Sequence, residues 1–374
     1  MRPLITLAIL VTCQARSQSL VKHTFDTDTG GWLTMGTNGS VAITHDKASV
    51  KAGAGALEYK YSLDGQGINT AILPLGAPGS VAAMGHVKFW IKSDHDTAIG
   101  VVLSEKKPGG GDYTALVWTP ANAWQHIDLV PADFTANDGP NDPVDADGKL
   151  DPAQIEAFGI IDVAQLFNHL PTEAPIVVAR SSGSHTILLD DFEITDAKPP
   201  ASAAAGNVVI DRFDRGFSQW ITLGGMTLAL SSSAENPIAG PTLTASIQTV
   251  EGKLALLTRR IDGARIEGTK RIAFDIAADH EGTFVLSIEV KKTGATSGQG
   301  PRYNFEINPP EGRKVFRVNV SLADFEADEN SAEDPAGKLE AGHIKSISIG
   351  DITALAGGAA GPNKIWIGPV EMVR

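Results

Sequence analysis

Aromatic side chains with polar neighbours are the residues of this chain best suited to bind a ligand. An aromatic ring offers a flat apolar face that stacks on the C–H face of a sugar ring, and nearby polar side chains hydrogen-bond to hydroxyl groups. The second half of the chain has few aromatics, so a surface of this kind is expected in the first half. The candidates there are Tyr59, Tyr61, Trp90, Tyr113 and Trp118, with His126 and Asp128 as hydrogen-bonding groups.

Two interpretations stay open for each of these aromatic residues. Trp90 and Trp118 lie opposite the apolar residues of their own strands, so they are the best candidates for exposed positions. Packing beneath a loop is the alternative for both. Tyr59 and Tyr61 share a strand face with Leu57 and fit a hydrophobic core equally well. Two further tryptophans near strand ends are interpreted as structural, namely Trp32 and Trp124.

Catalytic signatures are absent from the sequence. It contains no Gly-x-Ser-x-Gly elbow, no His-Glu-x-x-His helix and no phosphate-binding Gly-rich loop. Adjacent carboxylates such as Asp190 and Asp191 could serve a glycosidase, which needs two of them. The corresponding residues of the second half, however, are Gly368 and Pro369. We therefore predict a protein without enzymatic activity.

The same landmarks occur in both halves of the chain in the same order. A Phe-Asp pair followed by Trp opens each half, and an Ala-Asp-Phe and a Gly-Lys-Leu segment follow in each. A repeat this long indicates two similar domains rather than a solenoid of short units. Paired prolines and small residues mark the linker between them. The predicted boundaries are a signal peptide at 1–19, domain one at 20–197, a linker at 198–206 and domain two at 207–374.

The elements that must position the candidates are short β-strands. Apolar residues alternate with polar ones, as in Val87, Phe89 and Ile91, and long segments of helical period are missing. Each half closes on a strand, predicted at Thr186–Ile194 and Lys364–Met372. About eight such strands per half predict an all-β chain of two tandem antiparallel β-sandwich domains of the jelly-roll type.

Charge and the N-terminus restrict the partners and the location. The net charge of −13 argues against nucleic acid and anionic lipid, which bind through clusters of Lys and Arg. Arg2 followed by the apolar run Leu4–Val11 predicts a signal peptide, and hence a secreted or periplasmic protein. Lipid attachment at Cys13 is the less favoured alternative. No later segment is long and apolar enough to span a membrane.

The order of motifs in the first half resembles a known group of domains. The matching residues are Trp124, Ile127, Leu129, Asp133, Phe134, Leu150, Asp151, Ile155 and Leu189–Ile194. This pattern is similar to galactose-binding-like β-sandwiches, especially β-glucan-binding carbohydrate-binding modules and complex I intermediate-associated domains. The resemblance covers nearly all of residues 21–197 and extends faintly over 207–374. It implies a polysaccharide or oligosaccharide ligand.

The resemblance also implies a structural calcium ion in domain one. It would place the ion at Asp26, Asp190 and Asp191, and Ca²⁺ prefers oxygen ligands that include carboxylates. The alternative is that the aspartate at the strand end accepts hydrogen bonds from backbone amides. The second half lacks the Asp-Asp pair, so no equivalent site is expected there.

Three functions are compatible with these observations. The preferred one is a secreted, non-catalytic carbohydrate-binding protein that binds its ligand mainly through domain one. The rival is a structural or protein-interaction protein of the cell surface. The least favoured is a jelly-roll polysaccharide lyase or hydrolase, which would need a deep groove with converging Tyr, His, Arg or carboxylate groups.

Overall fold

The structure, a computed structural model, describes residues 17–64, 67–139, 141–145, 147–170, 176–199, 206–291, 300–335 and 337–374. Most of the predicted signal peptide, including Cys13, lies outside these ranges, as do residues 200–205 of the predicted linker. Among the described residues no helix is long and apolar enough to cross a membrane.

Two sheets make up the N-terminal half. Its strands are β1 (Ser19–His23), β2 (Leu33–Met35), β3 (Gly39–Thr44), β4 (Ala56–Ser62), β5 (Thr70–Pro74), β6 (His86–Ser93), β7 (Thr97–Glu105), β8 (Asp112–Thr119), β9 (Gln125–Leu129), β10 (Thr135–Ala136), β11 (Ile155–Asp162) and β12 (Ser184–Thr195). One sheet has the order β3-β4-β12-β6-β9, with β1 also paired to β12, and the other has the order β10-β8-β7-β11-β5-β2. All of these pairings are antiparallel.

The C-terminal half repeats this architecture. Its strands are β13 (Val208–Asp211), β14 (Ile221–Gly224), β15 (Met226–Ser231), β16 (Thr242–Gln248), β17 (Ala255–Arg260), β18 (Arg271–Ala278), β19 (Phe284–Val290), β20 (Arg302–Ile307), β21 (Phe316–Ser321), β22 (Glu326–Ala327), β23 (Ile344–Asp351), β24 (Pro362–Ile367) and β25 (Val370–Val373). The sheet orders are β13-β25-β18-β24-β16-β15, with β21 on β18, and β14-β17-β23-β19-β20-β22.

In the described residues, helical structure is limited to short segments. The α-helix α1 spans Ala164–Phe167. The 3₁₀ turns are Pro131–Asp133, Pro152–Gln154, Gly263–Ile266, Leu322–Asp324 and Ala341–His343.

Alternating side chains of the strands fill the space between the sheets. In β6, Val87, Phe89 and Ile91 are fully buried, whereas the residues between them are half-exposed. Each half has its own large core cluster of buried apolar residues. Burial of apolar surface is the main driving force for this arrangement. The predicted class, two tandem antiparallel β-sandwiches, is confirmed.

The shared landmark at the start of each half has an unusual backbone. Phe25 and Phe213 both adopt the left-handed conformation, with φ of 57° and 58°, and both are buried. The tryptophans that follow them, Trp32 and Trp220, are also buried. Non-glycine residues rarely adopt positive φ unless the surrounding structure enforces it. The two sandwiches therefore share the same local backbone conformation at this landmark, as expected of a duplicated fold.

The last strand differs between the two sandwiches. β12 runs unbroken through Asp190 and Asp191, where its pairing with β6 shifts register. In the C-terminal sandwich the prediction of one strand at 364–372 is wrong, because β24 ends at Ile367 and β25 begins at Val370. Proline has no amide hydrogen for the sheet, so Pro369 interrupts the strand.

The two sandwiches pack directly against each other. The amide of Trp118 donates to the carbonyl of Ser218 at 2.9 Å, and the amide of Ala179 donates to that of Leu223 at 2.7 Å. Arg215 also donates to the buried Asp133 at 2.9 Å. The predicted linker is thus not the only connection, since backbone and ionic contacts join the sandwiches as well.

Candidate functional site

Three of the predicted sugar-binding aromatics lie in the core. Tyr59 and Tyr61 are buried and their rings stack with centroids 5.0 Å apart. Tyr113 is buried as well, and its hydroxyl donates to Asp145. These residues face the interior because side chains alternate between the two faces of a strand, and Tyr59, Tyr61 and Tyr113 lie on the inward faces of β4 and β8. They form no exposed stacking surface, so their assignment to a binding surface is wrong.

Trp118 is covered by the other sandwich. It lies on the outer face of β8, as the alternation predicts, but only 5% of it is exposed. Its indole N–H donates to the carbonyl of Leu228 in the C-terminal sandwich at 3.1 Å. The prediction of an exposed ligand-binding ring is therefore wrong for Trp118. It anchors the contact between the two sandwiches.

Trp90 and His126 form the part of the predicted surface that the structure brings together. They are directly opposite each other in the pairing of β6 with β9, and their ring centroids are 5.0 Å apart. Trp90 is half-exposed and His126 is exposed. Both point away from the core because their neighbours Phe89 and Ile127 point into it. An aromatic surface therefore lies on the outer face of the first sheet.

Two lysines lie over the tryptophans of this surface. The ammonium group of Lys51 is 4.3 Å from the centre of the Trp90 ring, within the range of a cation–π interaction. Lys92 lies 6.0 Å from the centre of the Trp124 ring. Trp124 is half-exposed and precedes β9 by one residue. Trp124 and His126 are two residues apart, so the alternation of β9 indicates that they share a face. The interpretation of Trp124 as a structural residue did not use this signal.

Asp128 lies on the same face and is already engaged. Its carboxylate is 2.6 Å from Nδ1 of His86 and 3.9 Å from the ammonium group of Lys88. Lys88 is directly opposite Asp128 in the pairing of β6 with β9. We name the set Trp90, Trp124, His126, Asp128, Lys88 and Lys92 the outer face of β6 and β9.

The residues predicted to bind calcium have other partners. One carboxylate oxygen of Asp190 accepts the amides of Lys51 and Ala52, each at 2.8 Å, and the other accepts the amide of Asp191 at 2.8 Å. Burial raises the pKa of Asp190, and these amides offset the rise only in part. Asp190 thus holds the loop that carries Lys51 over Trp90.

The other two predicted calcium ligands do not join Asp190 in a common set of converging oxygens. Asp26 accepts the amide of Ala54 at 2.5 Å, and this hydrogen bond, with one from Thr24, holds the pKa of Asp26 below its usual value. Asp191 is 3.7 Å from the ammonium group of Lys22. Among the described residues the three carboxylates do not form a cluster of ligand atoms, and calcium binding at these positions stays a prediction.

The described part of the C-terminal sandwich has no equivalent of this aromatic surface. Asp275 takes the place of Trp90 in the repeat, and it accepts a hydrogen bond from Arg317 on the neighbouring strand at 3.2 Å. Its carbonyl accepts the amide of Gly368 at 2.8 Å. An ion pair therefore occupies the position where the first sandwich has an aromatic ring.

A cleft of about 620 Å³ lies between the sandwiches. Two of its cationic side chains join the two halves. Arg260 donates to the carbonyl of Ala136 at 2.7 Å, and Lys345 is 2.7 Å from the carboxylate of Asp138. Tyr113, which also lines the cleft, is bonded to Asp145. Arg260 and Lys345 therefore serve the packing of the two sandwiches against each other.

Solved structures provide the comparison with known proteins. A family 11 carbohydrate-binding module from Clostridium thermocellum, in complex with a beta-1,3-1,4-mixed-linked tetrasaccharide, has 17% identity and a TM-score of 0.37, covering 46% of this chain and 97% of its own. The chain is similar to carbohydrate-binding modules.

The similarity extends over both halves in one case. A tandem pair of family 22 modules from Paenibacillus barcinonensis has 12% identity and a TM-score of 0.30, covering 97% of this chain and 99% of its own. An exo-beta-agarase has 12% identity and a TM-score of 0.33, covering 49% of this chain and 25% of its own. No protein-family model and no curated protein sequence matches the chain. Similarity at this level does not identify a ligand for this chain.

Proposed function

We propose that this protein is a secreted, non-catalytic carbohydrate-binding protein whose ligand binds to the outer face of β6 and β9. The observation that carries the proposal is the pair of Trp90 and His126, whose rings lie 5.0 Å apart on an exposed sheet surface. Export by the predicted signal peptide belongs to the same proposal.

The chemistry of this surface suits a sugar chain. A half-exposed indole offers apolar area for the C–H face of a pyranose, and hydroxyl groups need donors and acceptors at the edge of the ring. Lys88 and Lys92 supply donors, and His126 supplies either function depending on its tautomer. An apolar patch that serves protein contact would lack this ring of hydrogen-bonding groups.

Among the residues that the structure describes, this combination occurs in the N-terminal sandwich alone. The C-terminal sandwich has Asp275 paired with Arg317 at the corresponding position. We therefore assign ligand binding to the N-terminal sandwich and a supporting role to the C-terminal one, which packs over Trp118. The absence of catalysis belongs to the same proposal.

Affinity electrophoresis of the full-length protein in gels containing β-glucan, xylan or mannan tests the proposal. We expect retardation by at least one polysaccharide, and at least a roughly tenfold loss of affinity in Trp90→Ala, since a lost stacking interaction of about 1.4 kcal/mol corresponds to that factor. Phe316→Ala is the control, because Phe316 is an exposed aromatic residue of the C-terminal sandwich. Absence of binding to every polysaccharide, or unchanged binding by Trp90→Ala, would refute the proposal.

A structural calcium ion in the N-terminal sandwich remains a prediction of the sequence resemblance. It is independent of the sugar-binding surface, except that Asp190 also holds the loop bearing Lys51. Its test is given with the other predictions below.

A further inference from the structure

Two histidines and a carboxylate meet at one end of the N-terminal sandwich. Asp94 and His95 lie in the turn between β6 and β7, and His185 is the second residue of β12. One oxygen of Asp94 is 2.8 Å from Nδ1 of His95 and 3.0 Å from Nδ1 of His185. One ligand atom from each of the three residues lies within 4.8 Å of the others.

The outward nitrogens of both histidines face groups that accept hydrogen bonds. Nε2 of His95 is 3.1 Å from a carboxylate oxygen of Asp162, and Nε2 of His185 is 3.0 Å from the carbonyl oxygen of Ser182. Neither of these oxygens has a hydrogen to donate, so a proton on each Nε2 is favoured. The contact of His95 with Asp162 is an ionic one without the geometry of a hydrogen bond. A neutral imidazole with hydrogen on Nε2 has its lone pair on Nδ1.

Three electron-rich atoms therefore point at one another. They are the two Nδ1 atoms and one oxygen of Asp94. The hydroxyl of Ser93, 3.3 Å from Nδ1 of His95, can donate a hydrogen bond to one of them. Positive charge among the three atoms stabilises the set. Two protons can provide that charge, and so can one divalent metal ion.

Hydrogen bonds hold in place Asp162, which contacts His95, and also Asp94 itself. Asp162 is completely buried and accepts the hydroxyls of Tyr61 and Thr97, each at 2.5 Å, and the amide of Ala164 at 2.9 Å. A carboxylate held in this way orients the histidine in front of it. The other oxygen of Asp94 accepts the amide of Thr186 at 2.8 Å, which fixes that carboxylate to β12.

We propose that Asp94, His95 and His185 bind one divalent metal ion of the zinc class, through one carboxylate oxygen and the two Nδ1 atoms. Two imidazoles and one carboxylate favour Zn²⁺ and Co²⁺ over Ca²⁺ and Mg²⁺, which prefer an all-oxygen set. The histidines are 16% and 17% exposed and Asp94 is 37% exposed, so solvent reaches the site and water can complete the coordination. This site is separate from the outer face of β6 and β9 and does not depend on the proposed function.

Titration of the full-length protein with Co²⁺, followed by its visible absorption and by competition with Zn²⁺, tests the site. We expect one metal ion per chain, and at least tenfold weaker binding in His95→Ala and in His185→Ala. His126→Ala is the matched control, because His126 is an exposed histidine of the same sandwich. Asp162→Asn tests whether the carboxylate of Asp162 orients the ring of His95 for metal binding. We expect this variant to bind the metal about 10- to 100-fold more weakly.

Thermal unfolding provides a second readout that does not depend on absorption. Zn²⁺ should raise the unfolding temperature of the native protein and of His126→Ala, because an ion that binds only the folded state stabilises it. It should not raise that of His185→Ala measured in the same buffer. Absence of Co²⁺ and Zn²⁺ binding by the native protein, or equal binding by the two histidine variants and the native protein, would overturn the proposal. Should His185→Ala not fold, Asp94→Asn takes its place in both measurements.

Discussion

Trp118 is the residue at which the two possible uses of an outward-facing aromatic can be separated by experiment. The structure places its ring against the C-terminal sandwich, with the indole N–H bonded to the carbonyl of Leu228. Trp90 has the same outward orientation in its strand but remains half-exposed. Truncating each residue to alanine should therefore have opposite effects on stability and on binding.

The size of the effect at Trp118 follows from its burial. Truncation of a buried aromatic residue to alanine costs about 3–5 kcal/mol, and loss of the indole donor adds the cost of an unpaired carbonyl in Leu228. We expect Trp118→Ala to lower the free energy of unfolding by about 4 kcal/mol. Trp118→Phe keeps most of the packing and loses the hydrogen bond, so about 1–2 kcal/mol is expected. Trp90→Ala should cost less than about 1 kcal/mol.

Equilibrium unfolding in guanidinium chloride, followed by circular dichroism and by tryptophan fluorescence, measures these differences. Because Trp118 joins the two sandwiches, its truncation should also separate one transition into two, and the two signals should then no longer coincide. A Trp118→Ala variant as stable as the native protein, and deficient in polysaccharide binding, would refute the interface role and restore Trp118 to the ligand-binding surface.

Three further predictions concern the contact between the sandwiches, the binding surface and the calcium site. Asp133 is buried, which alone would raise its pKa, but Arg215 and Arg259 hold the pKa of Asp133 below its usual value. Its charge therefore stabilises the fold above about pH 4, and this contribution is lost as the pH falls through the lowered pKa. Asp133→Asn should cost about 3–5 kcal/mol at pH 7, and the difference from the native protein in urea should shrink at pH 3; a difference independent of pH would contradict this. Lys51→Ala should increase polysaccharide affinity, because the Lys51 ammonium lies over the Trp90 ring where a pyranose would stack; weaker binding in the gel assay would show instead that Lys51 contacts the ligand. If the calcium ion implied by the resemblance is bound, chelation of Ca²⁺ should lower the unfolding temperature by several degrees in calorimetry; an unchanged temperature would show that the amides bonded to Asp190 suffice to hold it.

Much of the fold was predictable because its signals are local. The alternation in β6 identified both its buried and its outward residues. The break at Pro369 was also present in the sequence, since proline cannot donate within a sheet, but the preceding apolar residues outweighed it in the prediction.

The candidate site was predictable only in part. Trp90 and His126 were identified, and their contact needed the register of β6 against β9. The cluster of Asp94, His95 and His185 was missed, because His185 is separated by 90 residues from His95 and joins it only through the position of β12 in the sheet. No local spacing indicated that contact.

The sequence by itself determined the class of fold, its duplication and which side chains point inward or outward along a strand. These properties depend on periods of two residues and on turn residues, which act within a few positions of the chain. Tertiary structure decided what lies against each outward face. The outer face of β8 is covered by the C-terminal sandwich, whereas that of β6 is accessible, although Trp118 and Trp90 have the same outward orientation in their strands. That difference arises from contacts between residues about 110 positions apart, such as Trp118 with Leu228, and these contacts leave no pattern along the strand.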